Sequence, residues 1–181
     1  LAGELILPRH YKKTSKPKKN YTFNRPWAIP VRYHDINSFL NVTSPDLVEF
    51  HLSFSDLTKK IEKYFKKQYK CNFIVHAPEL FKNDHLLDLC TNNKNYRIES
   101  IKNLKKVIEV TKAINKYFPN TNYPQIIINS GGFSKNSFID TKKREGFYNN
   151  LIESLKMFKA EPVNIIPQNM APFPWHFGGQ R

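Results

Sequence analysis

Three imidazoles stand where short apolar runs end: His34 in Trp27–Asp35 (WAIPVRYHD), His51 in Leu47–Asp56 (LVEFHLSFSD) and His76 in Asn72–Leu89 (NFIVHAPELFKNDHLLDL). Each has a carboxylate close by in sequence: Asp35 beside His34, Glu49 and Asp56 around His51, and Glu79 after His76. Imidazole with carboxylate suits proton transfer by general acid/base chemistry, and it equally suits a divalent Zn, Mn or Mg ion. Glu49, His51 and His76 are the residues to hold such an ion, and the same three with His34 are the acid/base candidates. Two further apolar runs end in neutral polar groups, Gln125–Gly132 in Asn129 and Ser130, and Val163–Met170 in Gln168 and Asn169. Arg32 carries a planar fork that could pair with a substrate phosphate or carboxylate, or salt-bridge Asp35 or Glu49. Near the end of the chain, PFPWHFGGQR surrounds His176 with Phe173, Trp175 and Phe177. Those rings could stack on a sugar or pack over the mouth of a site.

Five apolar runs ending in polar, ligand-capable side chains are what parallel strands with a site at their C-terminal ends look like. Strands are expected at Ala28–Tyr33, Leu47–Leu52, Asn72–His76, Gln125–Asn129 and Val163–Pro167. Period-2 alternation puts Glu49 and His51 on one face of the second and Val48, Phe50 and Leu52 on the other. A loop through Asn37, Asn41 and Pro45 separates the first two strands. Ser55 or Asp56 can cap a helix running to about Gln68, with Leu57, Ile61, Tyr64 and Phe65 inward. The longest helix, about Glu99–Phe118, has its core face at Ile101, Leu104, Val107, Ile108, Thr111, Ile114 and Phe118. Another runs from an Asp140 or Thr141 cap to about Lys159, with Phe147, Leu151, Leu155 and Phe158 inward. Gly131–Gly132 can make a tight turn or let a phosphate approach backbone amides, although no Walker-type spacing surrounds it.

Strands alternating with helices imply an α/β fold with a parallel sheet. The leading expectation is a (β/α) barrel of TIM type, incomplete with about five βα units and so part of a longer barrel, since closure takes eight strands. The alternative is an open doubly wound parallel sheet. Residues 1–26 read as a basic linker or the tail of a preceding domain, with which the barrel would be in contact, and residues 27–181 as the partial barrel domain.

Of the net charge of +14, residues 1–26 carry +6, from seven basic side chains against Glu4. The remaining +8 is spread over amphipathic segments, mostly as Lys. That distribution, together with nineteen Asn residues, points to generic surface basicity rather than a nucleic-acid partner. No apolar run reaches transmembrane length and the first residues lack a signal-peptide pattern, so the expectation is a cytoplasmic protein. Cys71 and Cys90 have no metal-type spacing and read as reduced structural thiols.

The VHAPELF segment with its Leu-rich continuation, the EFHLS strand and the Gln168–Asn169 pair resemble the xylose-isomerase-like TIM barrels, over about residues 27–181 and five of eight strands. That superfamily includes sugar-phosphate isomerases and epimerases and the apurinic/apyrimidinic endonucleases. The resemblance implies a sugar or sugar phosphate as substrate, with His76, His51 and Glu49 as acid/base or metal-binding groups. Arg32 would then meet an anionic substituent, and Gln168 and Asn169 would meet hydroxyls; Asp35, Glu79, Asn129, Trp175 and His176 complete the expected binding set. Family members place a metal-binding Glu where this chain has Gln168, and the endonucleases a metal-binding His where it has Asn129. A high-affinity multi-zinc centre and a DNA-repair nuclease are therefore poorly served. The RYHD and PFPWHFGGQR segments look like barrel domains appended to sialic acid synthases, which implies LAGELIL as the end of a preceding domain and admits a non-catalytic carbohydrate-binding or regulatory role.

Overall fold

A computed structural model of the chain describes residues 24–133 and 139–169. Five strands, β1 (Ala28–Val31), β2 (Leu47–His51), β3 (Asn72–His76), β4 (Gln125–Asn129) and β5 (Asn164–Gln168), form one sheet in the order β1-β2-β3-β4-β5. Every neighbouring pair is parallel. Strands run in sequence order, without the reversal that a doubly wound sheet makes at its switch point. As described, the sheet is open, with β1 and β5 each paired on one side.

Alternation along these strands decides which residues form the core. Val48 and Phe50, Phe73 and Val75, and Ile126 and Ile128 all point to one face and are essentially inaccessible to solvent. They meet Leu104, Val107, Ile108 and Ile114 from the long helix α2 (Lys94–Asn115) in one apolar cluster. Phe118, just beyond α2, is the hub of that cluster. It makes ring contacts with Phe50, Phe65, Tyr69 and Phe73 at centroid separations of 5.8, 6.3, 5.0 and 4.8 Å.

Three local differences from the sequence reading have physical causes. First, the helix expected from Ser55 to Gln68 is replaced by two short 3-10 turns, Phe54–Thr58 and Ile61–Lys63. Ser53 rather than Ser55 caps the first, reciprocally with Asp56, and Lys59 pairs with the Asp56 carboxylate at 2.7 Å. Backbone groups farther along are taken by distant partners, Tyr64 O by the Asn37 amide and Tyr69 N by Tyr117 O, so no i to i−4 ladder can run through. Ile61 and Phe65 still reach the core, which is what their spacing required, and Tyr69 joins them.

Second, the expected loop after β1 contains a five-residue helix, α1 (Ile36–Leu40), because Ile36 plugs into the core with no exposed surface. Third, α2 begins five residues before Glu99, where the Asn93 side chain accepts the Tyr96 N–H as an N-cap. Helix α3 (Thr141–Lys156) starts after an Asp140 cap as expected. Strands β3 and β4 match expectation residue for residue; β1 and β2 end two and one residues early, and β5 is displaced by one.

Among the described residues no helix is long and apolar enough to cross a membrane, and both cysteines are free. Residues 1–23, with the LAGELIL segment, lie outside the described residues.

Phe118→Ala removes the ring on which four others converge and leaves a cavity that a sheet on one side and a helix on the other cannot close. Its expected cost is about 3–5 kcal/mol in denaturant unfolding, with little change in m.

Candidate functional site

The face of the sheet opposite the core is built by the same alternation. Glu49, His51, Ile74, His76, Ile127, Asn129, Ile166 and Gln168 share it, because the parallel register sets His51 level with His76, His76 level with Ile127, Ile127 level with Ile166, and Asn129 level with Gln168. Ile74 and Ile127 are half-buried and Ile166 is exposed, so polar strand tips stand above a partly covered apolar floor.

At the centre of those tips the His51 and His76 rings stack, with centroids 4.9 Å apart and planes 13° from parallel. His51 Nε2 lies 3.0 Å from Glu49 Oε1. A carboxylate accepts, so Glu49 holds the proton of His51 on Nε2 and leaves Nδ1 as the lone-pair nitrogen. His76 Nδ1 is 3.2 Å from the Ala77 carbonyl, which can only accept, and that places its ring proton on Nδ1. Its Nε2 is 2.9 Å from Gln168 Oε1, so a neutral ring with its proton on Nδ1 accepts here only when the Gln168 amide is turned to present its N–H. Neighbouring strands are about 4.8 Å apart, so His76 and Gln168 lean toward each other across the intervening β4. An amide has a donor and an acceptor end, so Gln168 can serve a neutral His76 with N–H or a cationic one with the carbonyl.

The remaining candidates take other places. Arg32 is next to His51, but its guanidinium donates to the His51 backbone carbonyl rather than reaching Asp35 or Glu49, and its own N–H is held by Asp35 Oδ1 at 2.7 Å. Asp35 is thereby occupied with the turn after β1. His34 points away from the cluster, with a side chain 74% exposed and Nε2 3.9 Å from Asp35. Asp56 is absorbed in the Ser53 capping box; burial pulls its carboxyl upward, but Lys59 and the two Ser53 donors outweigh that and hold it below the usual range. Glu79 accepts from the Asn129 amide nitrogen, which ties the tip of β4 to the loop after β3. Asn169 is exposed beside Gln168. Trp175 and His176 lie outside the described residues.

These residues do not suit a metal centre. Stacked imidazoles in near-parallel planes direct their lone pairs side by side rather than at one point, and the groups nearest on β4 and β5, Asn129 and Gln168, are neutral. Among the described residues no three His, Cys, Asp or Glu side chains converge as a metal-holding group.

Sequence reasoning passed over the support beneath β4. Asp88 Oδ1 accepts three backbone N–H groups, from Cys90 at 2.9 Å, Thr91 at 2.9 Å and Gly132 at 3.0 Å. Burial raises its carboxyl above the ordinary range, against the pull of those donors. Gly131 and Gly132 have φ of 89° and 77°, and a Cβ on Gly131 would overlap Asp88 Oδ1 and Cα. The glycine pair is thus the turn that lets β4 close onto this carboxylate. Cys90, whose thiol is pushed up to about 12 by burial and then by Asp88, donates to the Ser130 carbonyl, which favours its neutral form. The run Asp88-x-Cys90-Thr91, an Asp whose side chain can bond N–H groups two and three residues on, was the available signal.

Beside this turn, the tips of β4 and β5 and the first turns of α3 enclose a cavity of about 300 Å³, lined among others by Asn129, Arg144, Phe147, Tyr148, Gln168 and Asn169. Arg144, Phe147 and Tyr148 sit on a helix that the sequence identifies but cannot aim.

His85 belongs to the same supporting loop. Its Nε2 is 2.8 Å from Ser100 Oγ and its ring stacks on Tyr96 at 4.1 Å. Desolvation lowers its pKa below the ordinary value, opposed by Glu99 and Asp88. The unfolded chain therefore binds the proton first on acidification, and stability should fall as pH drops below about 6.5. Thermal unfolding of the wild type against His85→Gln between pH 7.5 and 5 checks this: the variant should lose that part of the slope. Gly131→Ala should destabilise by at least about 1–3 kcal/mol from its backbone conformation alone, measured by denaturant unfolding, with the overlap on Asp88 adding to it.

Comparison of the chain with protein-family models, with curated proteins and with solved structures yields no match.

Proposed function

We propose that the polar tips of β2 to β5 bind a sugar or sugar phosphate and move a proton at the carbon beside its carbonyl, as an isomerase or epimerase does. The stacked His51–His76 pair carries this reading, because it sets two imidazoles with assigned tautomers at the C-terminal ends of parallel strands, where such folds place ligands. His76 Nε2 is the candidate base, held by an amide that accommodates both of its protonation states. His51, its Nε2–H held by Glu49, presents its Nδ1 lone pair as a second proton acceptor. Gln168 and Asn169 offer amides to hydroxyl groups. Five parallel strands in sequence order also support the barrel reading, in which the half-covered face of Ile74, Ile127 and Ile166 is the inner wall and β5 the edge that a further strand would join.

The test is solvent exchange. Incubated in D2O with aldose and ketose phosphates and the parent sugars, the protein should incorporate deuterium at the carbon next to the carbonyl, read by NMR. His76→Asn, which removes the ring base, should slow this by about 10²–10⁴-fold. Exchange at the wild-type rate in that variant, or none with any sugar, removes the proton-transfer role; binding without exchange points instead to a carbohydrate-binding domain.

A further inference from the structure

The cavity between the β4 and β5 tips and α3 has a charge imbalance that the strand-tip reading leaves unused. Arg144 lines it, and among the described residues no Asp or Glu does. Among the described residues the guanidinium hydrogen-bonds only Thr141 Oγ1, 3.2 Å away on its own helix, and enters no ion pair. Glu145, next to Arg144 in sequence, lies outside the lining, as does Asp140, which caps α3 and pairs with Lys143 at 3.5 Å. An Arg in a concave site without a partner favours a planar anion, phosphate or carboxylate, through paired N–H donors.

The rest of the lining specifies what the anion is attached to. Phe147 and Tyr148 present aromatic surface suited to the C–H face of a ring, while Gln168 and Asn169 present amides suited to hydroxyls. The volume is that of a small-molecule pocket. Gln168 also connects the two places, since it lines the cavity and hydrogen-bonds His76.

We infer that this cavity is the anion-binding half of the site: Arg144, and not Arg32, holds the phosphate or carboxylate of a polyhydroxylated substrate whose reacting end extends past Gln168 to His76. The inference rests on the strand-tip reading above and narrows its substrate to an anionic sugar. Arg32 is committed to the His51 carbonyl, while Arg144 faces a cavity with room for a ligand.

Calorimetric titration of the full chain with D-fructose 6-phosphate, D-gluconate and D-fructose tests it. At least one anionic probe should bind about tenfold or more tighter than fructose, and the better of the two names the anion. Arg144→Gln should erase that advantage and leave fructose affinity unchanged, while Arg144→Lys keeps part of it. Arg144 is exposed on α3, so the substitution should leave the fold intact, which circular dichroism checks. Wild-type affinity for the anionic probes in Arg144→Gln, fructose binding as tightly as its phosphate, or no binding of any probe overturns the inference. If Arg144→Gln has no effect while His76→Asn still slows exchange, only the cavity assignment falls. If anion binding depends on Arg144 while His76→Asn exchanges normally, the proton-transfer reading falls and the anion site stands.

Discussion

Burial of one face of a parallel sheet is the constraint from which the rest of this structure follows. Val48, Phe50, Phe73, Val75, Ile126 and Ile128 must leave water together, and in a pleated strand that commits every second residue to the opposite side. A one-residue slip in β2 or β3 would put phenylalanine in solvent and imidazole in the core. The core register is therefore also the site register: His51 and His76 stack because Phe50 and Val75 are paired on the other face.

The two layers of support around the tips have different characters. On the core side, rings of Phe50, Phe65, Phe73 and Phe118 meet edge-on or tilted, a shape-specific packing that holds β2 and β3 against the segment after α2. At the mouth, the support is polar. Asp88 gathers three backbone N–H groups, Glu79 holds the Asn129 amide, and the glycine turn lets these come close. Apolar packing fixes where the strands lie, and this network fixes how the chain leaves β4 toward the cavity.

Neutral amides at Gln168 and Asn129 set the chemical character of the site. A carboxylate in the place of Gln168 would add charge for a cation and favour one protonation state of His76, whereas an amide can turn to serve either state. A carboxylate at the same place would repel an anionic ligand of the kind proposed above.

Most of the sheet was legible in the sequence because strand alternation is a local property: Glu49 and His51 against Val48 and Phe50 can be read directly, as can the Asp140 cap and the apolar stripe of α2. The segment 55–68 misled because its Leu57, Ile61, Tyr64 and Phe65 spacing is helical, while backbone groups at Tyr64 and Tyr69 are claimed by Asn37 and Tyr117, residues remote in sequence. The role of Arg32 was likewise open from its type alone and was decided by the position of the His51 carbonyl. The sequence by itself determined that five strands would present polar tips and that His76 would stand at one of them. Only the tertiary structure decided that His76 meets Gln168 over β4, that Gly131 yields to Asp88, and that Arg144 turns to a cavity. Each of those depends on packing between elements far apart in the chain, which no local periodicity encodes.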